Sequence, residues 1–134
     1  MDEAPVDVLI IGGGPAGLSA ALNLARARAS VLVVDTGRPR NAATLRSHGF
    51  LTRDGISPIE LRKLARAEIA AYPMVRVLDR TNATALTTVD AADGMRFSAT
   101  LQTHRSGEPL VVSARSALIA TALRETLPAI PRLC

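Results

Sequence analysis

A glycine-rich turn, Ile10-Ile11-Gly12-Gly13-Gly14-Pro15-Ala16-Gly17, constrains this chain more than any other feature. Before it, Val6 to Ile11 is a short apolar run rich in Val and Ile, the pattern of a strand buried on both faces of a parallel sheet. After it, Leu18, Ala21, Leu22 and Ala25 recur at helical spacing within Pro15 to Arg28, and Val31 to Val34 is a second β-branched run ending at Asp35. A GxGxxG string is common by chance, but between a strand and a helix it is a physical device. Gly12 permits a tight turn, Gly14 lets the backbone approach a pyrophosphate, and Gly17 allows the helix to pack closely on the strand. Gly13, Pro15 and Ala16 complete the turn, and the helix that opens at Pro15 offers amides and a positive dipole end to an anion.

Asp35 lies 18 residues beyond Gly17, at the end of the second strand. A carboxylate there accepts both hydroxyls of an adenosine ribose and repels a 2′-phosphate, which favours FAD or NAD over NADP. The fingerprint by itself leaves FAD and NAD open.

The rest of the chain continues the α/β pattern. Thr36 to Gly55 is polar and punctuated by Gly37, Pro39, Asn41, Gly49 and Gly55, long enough for a binding loop. Ser57-Pro58-Ile59-Glu60 is a capping box with proline at the first helical position, and Leu61, Leu64, Ala65 and Ile69 give the following helix an apolar face that stops before Pro73. Met74 to Leu78 reads as a third parallel strand. Thr84 to Val89, the alternating Phe97 to Leu101 and Leu110 to Ser113 then read as a three-stranded antiparallel meander, with turns at Asp93-Gly94 and Ser106-Gly107. Ala117 to Thr121 returns to an apolar strand, and Pro128 to Cys134 reads as coil.

At 134 residues the chain suits one modest domain or part of one. The net charge of +4 comes almost wholly from arginines spread from Arg26 to Arg132. The aromatics Phe50, Tyr72 and Phe97 are too few to stack on bases, so no nucleic-acid surface is expected, and charged positions read as a solvated face. Cys134 is the only cysteine, which excludes an internal disulfide or a thiolate metal cluster, and His48 and His104 have no ligand spacing. Met1-Asp2-Glu3 lacks a basic leader, and no run reaches the roughly 18 apolar residues of a membrane span. A cytoplasmic location without membrane contact is the expectation.

Five segments recur in order: GGGPAGLSAAL from Gly12, VVDTGRPRNA from Val33, RSHGFLTRDG from Arg46, SPIEL from Ser57 and IATALRETLPAIP from Ile119. With them, Val8 through about Pro131 resembles the N-terminal part of the thioredoxin reductase-like flavoproteins (class II pyridine nucleotide-disulfide oxidoreductases), a family that also includes FAD-dependent dithiol oxidases. The resemblance implies FAD, held in a Rossmann-like βαβ unit with a parallel sheet and an inserted antiparallel meander. It places Thr36, Arg38, Arg40 and Asn41 near the adenosine and pyrophosphate, His48 with Gly49 and Phe50 toward the isoalloxazine, and Thr121 and Ala122 beside the cofactor.

Three departures shape the functional expectation. The family's Ala-Thr-Gly appears as Ala120-Thr121-Ala122, where a β-carbon crowds the cofactor or shifts a loop, and its Pro-Ile-Pro-Gly as Ala129-Ile130-Pro131-Arg132. The family's second nucleotide-binding domain, CxxC dithiol and returning Gly-Asp segment have no counterpart in residues 1–134. The chain is therefore expected to be the N-terminal part of an FAD/NAD(P)-binding domain without catalytic residues of its own. In the complete enzyme it serves a disulfide/dithiol couple. Two alternatives stand beside this: a non-catalytic dinucleotide-binding module, and a truncated relic. A homodimer or a second chain completing the domain is the expected protein partner, because a sheet without its final strands exposes an edge.

Overall fold

Two β-branched runs flanking a helix generate the centre of the molecule. In the computed structural model, which describes residues 2–39, 41, 43–104 and 107–123, strand β1 (Val6–Ile11), helix α1 (Pro15–Arg26) and strand β2 (Val31–Asp35) form in the expected order. β1 and β2 pair in parallel, Val8 opposite Val31 through Ile11 opposite Val34. Every residue of β2 is buried, as a strand covered on both faces requires. Helix α1 stops two residues short of the expected Arg28, which takes a left-handed φ of 66° as the chain leaves the helix.

Helix α2 (Pro58–Ala70) starts on its capping box: the Ser57 hydroxyl accepts the Glu60 amide at 3.1 Å, and Pro58 occupies the first turn. Strand β3 (Val75–Asp79) then pairs in parallel with β2. Ile10, Leu18, Ala21, Val31, Val33 and Ile69 form the core on the helical side.

Strands β4 (Thr81–Thr88), β5 (Phe97–Thr103) and β6 (Leu110–Ile119) make the antiparallel meander, giving one six-stranded sheet in the order β3-β2-β1-β6-β5-β4. Two details differ from the sequence reading. β4 begins at Thr81 rather than Thr84, because Arg80 at φ 50° turns the chain directly from β3 into it. The two separate runs at Leu110 and Ala117 are one ten-residue strand ending at Ile119, short of Thr121. No glycine or proline interrupts Ser113 to Ser116, so β6 passes from its antiparallel partner β5 (Leu110 to Ala114) to its parallel partner β1 (Ala114 to Ile119) without a break.

The consequence is a three-layer arrangement. Val6, Leu9, Leu32 and Val34 of the parallel strands pack against Ala99, Leu101, Val112 and Ala114 of the meander, so helices cover one face of β1 and β2 and the meander covers the other. Among the described residues no helix is long and apolar enough to cross a membrane. Pro128 to Cys134, including the Ala129-Ile130-Pro131-Arg132 segment and Cys134, lies outside the described residues.

Candidate cofactor-binding site

The C-terminal ends of β1, β2 and β6 meet the N-terminus of α1 around a cavity of about 570 Å³. This is where an open parallel sheet places its ligands. Eleven of the sequence-predicted residues line it: Gly12, Gly13, Gly14, Pro15, Ala16, Asp35, Thr36, Arg38, Asn41, Thr121 and Ala122. Gly17 lies behind the wall, in α1. His48 borders an adjoining cavity of about 250 Å³, together with Gly14, Pro15 and Asn41. Its Nδ1 lies 3.3 Å from Asp54 Oδ1, which also accepts the Gly49 amide at 2.8 Å. Arg40 lies outside the described residues.

The four glycines of the turn are there for different reasons. Gly12 adopts φ 121°, and a β-carbon on it would run into the Ala120 carbonyl, because the chain leaving β6 is tied to β1 by the Ala120 amide and the Ile11 carbonyl at 2.8 Å. A β-carbon on Gly17 would meet the Gly12 carbonyl, and one on Gly13 would sit 2.6 Å from Asp35 Cγ. Gly14 is the exception. Its φ of −83° and ψ of −173° suit any residue, and a β-carbon there meets no atom within 4 Å. Neither backbone conformation nor packing calls for glycine at this position. Gly14 is also the N-cap of α1, with no side-chain cap and no acidic residue in the first turn, so the first amides of the helix open onto the cavity unneutralised.

At the opposite end Asp35 is 8% exposed and already engaged. Its Oδ1 accepts the Gly37 amide at 3.1 Å, while Oδ2 accepts Arg66 Nη2 at 2.7 Å and also Arg62 Nη2. Arg66 is held a second time by Asp79 at 2.6 Å. The expected free carboxylate is thus half of a two-arginine cluster, because α2 lies across the end of β2 and delivers two cations one turn apart. Burial first, and then the charge of Arg66, hold the Arg62 guanidinium below its ordinary value, with Asp79 acting against them.

Arg62 lines the cavity and is the charged residue that the sequence reading missed, since charges on a helix usually face solvent. A signal was present. Arg62 and Arg66 are like charges at i and i+4, an unfavourable pair unless a carboxylate lies between them. Ala122 also differs from ordinary backbone: it adopts φ 61°, the left-handed region in which a β-carbon is strained, at the position where the resembling family carries glycine.

The family model for FAD dependent oxidoreductases (DAO) matches residues 7–102. The chain belongs to the FAD dependent oxidoreductase family. It is 48% identical over 87 residues to thioredoxin reductase tcpT of Claviceps purpurea, covering 64% of this chain and 27% of that protein. It is 35% identical over 127 residues to thioredoxin reductase aclD of Aspergillus oryzae, covering 93% of this chain and 37% of that one. Among solved structures it is similar to HlmI, with 38% identity, a TM-score of 0.78 and coverage of 96% of this chain and 38% of the other. An oxidoreductase from Agrobacterium tumefaciens gives 35% identity, a TM-score of 0.74, and coverage of 96% and 40%. The chain spans about a third of the length of the curated relatives it matches.

Proposed function

We propose that the cavity binds FAD and that residues 1–134 act as the N-terminal part of an FAD/NAD(P)-binding domain, serving a disulfide/dithiol couple in the complete enzyme. Gly14 carries the reading. A glycine that neither φ nor packing requires, at an uncapped helix N-terminus facing a cavity, is explained by a ligand backbone that must come close. FAD, when bound, supplies two-electron transfer. The residues of this chain bind and orient it.

In this reading the amides of Ala16 and Gly17 and the dipole of α1 hold the pyrophosphate, with Gly12, Gly13 and Pro15 shaping the turn around it. Asp35 and Thr36 face the adenosine ribose, Arg38 and Asn41 the adenine and phosphates, and His48, Thr121 and Ala122 the flavin end. Ser116 to Ile119 of β6 pair with β1 on one side and with no described strand on the other, and Ile119 is 66% exposed. That edge supports association with a further segment, a second chain or a second copy.

The test is to add FAD to the purified chain and pass it through gel filtration. Flavin absorbance that travels with the protein is the expected result. Protein that stays colourless and leaves free FAD fluorescence unchanged at saturating concentration overturns the proposal and favours the relic reading.

A further inference from the structure

Asp35 and the glycine turn share one corner of the cavity: Gly13 passes so close that a β-carbon on it would sit 2.6 Å from Asp35 Cγ. Arg62 stands at that corner. It borders the main cavity together with Gly13, Gly14, Pro15 and Asp35, and the adjoining cavity together with Gly14, Pro15 and His48. Its side chain is 22% exposed and donates from Nη2 to Asp35 Oδ2. Its remaining guanidinium donors have no partner among the described residues.

The charges give that position a task. A dinucleotide pyrophosphate is doubly negative, and the N-terminus of α1 offers it only about half a positive charge. Among the described residues, the cations lining the cavity are Arg38 and Arg62. Arg38 is exposed, where solvent and salt screen it, whereas Arg62 is mostly covered and its pairings are screened less. Asp35 does not satisfy Arg62 in full, because the Gly37 amide and Arg66 hold the same carboxylate. The lowered Arg62 value, caused first by burial, is that of a cation short of anionic compensation.

We propose that Arg62 is a second anchor for the FAD pyrophosphate, its guanidinium bridging the Asp35 carboxylate and a phosphate oxygen. The proposal rests on the FAD site above and adds a side-chain contact to its backbone cradle. A planar guanidinium carries five donors, so one edge can keep a carboxylate while another takes a phosphate. The ribose is not displaced by this bridge. Asp35 Oδ1 accepts the Gly37 amide and keeps a lone pair for a ribose hydroxyl.

The experiment measures binding of ADP, the part of FAD that carries both phosphates, to the full chain by calorimetry, with Arg62→Gln and Lys63→Gln beside the native protein. Lys63 carries the same charge one residue along α2 and does not line the cavity. Arg62→Gln should bind ADP about tenfold more weakly, the scale of a charge-assisted contact, and Lys63→Gln should bind it as the native protein does. Phosphorus NMR of bound ADP supplies a second readout: the β-phosphate should ionise at lower pH in the native complex than in Arg62→Gln, which a merely structural Arg62 would not bring about. Asp35 keeps Arg66 in both variants, and thermal unfolding checks that they fold. Arg62→Met, which keeps the unbranched stem, replaces a glutamine variant that does not. Unchanged ADP affinity in Arg62→Gln, an equal loss in Lys63→Gln, or weaker binding with an unshifted β-phosphate titration overturns this proposal alone. Native protein that binds neither ADP nor FAD overturns the FAD site and this proposal together.

Discussion

The two ends of the cavity are built from different materials. At the glycine turn the wall is backbone, shaped within one stretch of six residues from Gly12 to Gly17. At Asp35 the wall is side chains, assembled from β2 and from Arg62, 27 residues further along, with Arg66, 31 residues along, holding Asp35 from behind. Except at Gly14, this backbone wall has no room for an added β-carbon, and it carries few charges of its own. Side-chain walls tolerate substitution, but their charge balance decides which ligand they accept.

Substitutions at each end should break or sharpen this contrast. The largest effect belongs to Gly17, where any β-carbon collides with the Gly12 carbonyl inside the closed turn. Gly17→Val should cost at least about 3 kcal/mol in denaturant unfolding. A variant that unfolds like the native protein would show that the turn is not backbone-limited.

Asp35→Asn comes next. It leaves Arg62 and Arg66 facing each other without the carboxylate they share, and with Asp79 paired to Arg66 alone. Both guanidiniums are about a fifth exposed, so solvent screens part of the penalty. The expected loss is about 2 kcal/mol, below the range for a fully buried pair. No loss would mean that the arginines hold each other's company without help from Asp35.

Ala122→Gly should act in the opposite direction. Alanine at φ 61° carries about 1–2 kcal/mol of steric cost, part of which glycine returns as unfolded-state entropy. A net stabilisation of about 0.5–1 kcal/mol is expected from the midpoint of unfolding. Destabilisation would show that the methyl group makes a contact the strain conceals.

The smallest effect lies away from the cavity, at Asp7. The Ser30 amide and then the Ser30 hydroxyl hydrogen-bond its carboxylate and, with a lesser contribution from Arg115, hold it below the ordinary value of 3.8. A depressed carboxylate stabilises the fold above its unfolded value, and that contribution disappears as pH falls through the lower native one. The acid limb of the stability curve, below about pH 3.8, should therefore flatten in Asp7→Asn relative to the native protein.

The same contrast explains what the sequence made legible. β1, α1, β2 and the Ser57 cap are visible because each depends on periodicity or on partners within a few residues, such as Ser57 and Glu60. The cavity's glycine end shares this property, and the sequence reading found it. Strand β6 was split in two because Ser113, Arg115 and Ser116 interrupt the apolar run, while the strand itself is held by two different neighbours on its two halves. Arg62 and Arg66 were hidden for a related reason. Their partner belongs to another element, and nothing local distinguishes them from solvated arginines except their mutual repulsion.

Gly14 is the position at which fold and ligand make separate demands, so it offers the most direct measurement of the central claim. FAD is titrated into native protein and Gly14→Val, following flavin fluorescence, with thermal unfolding of both recorded in the absence of FAD. The account predicts that Gly14→Val remains folded, at a cost of about 1 kcal/mol at the helix N-cap. It also predicts that the variant loses at least about tenfold in FAD affinity. A Gly14→Val protein that binds FAD as tightly as the native chain would contradict it.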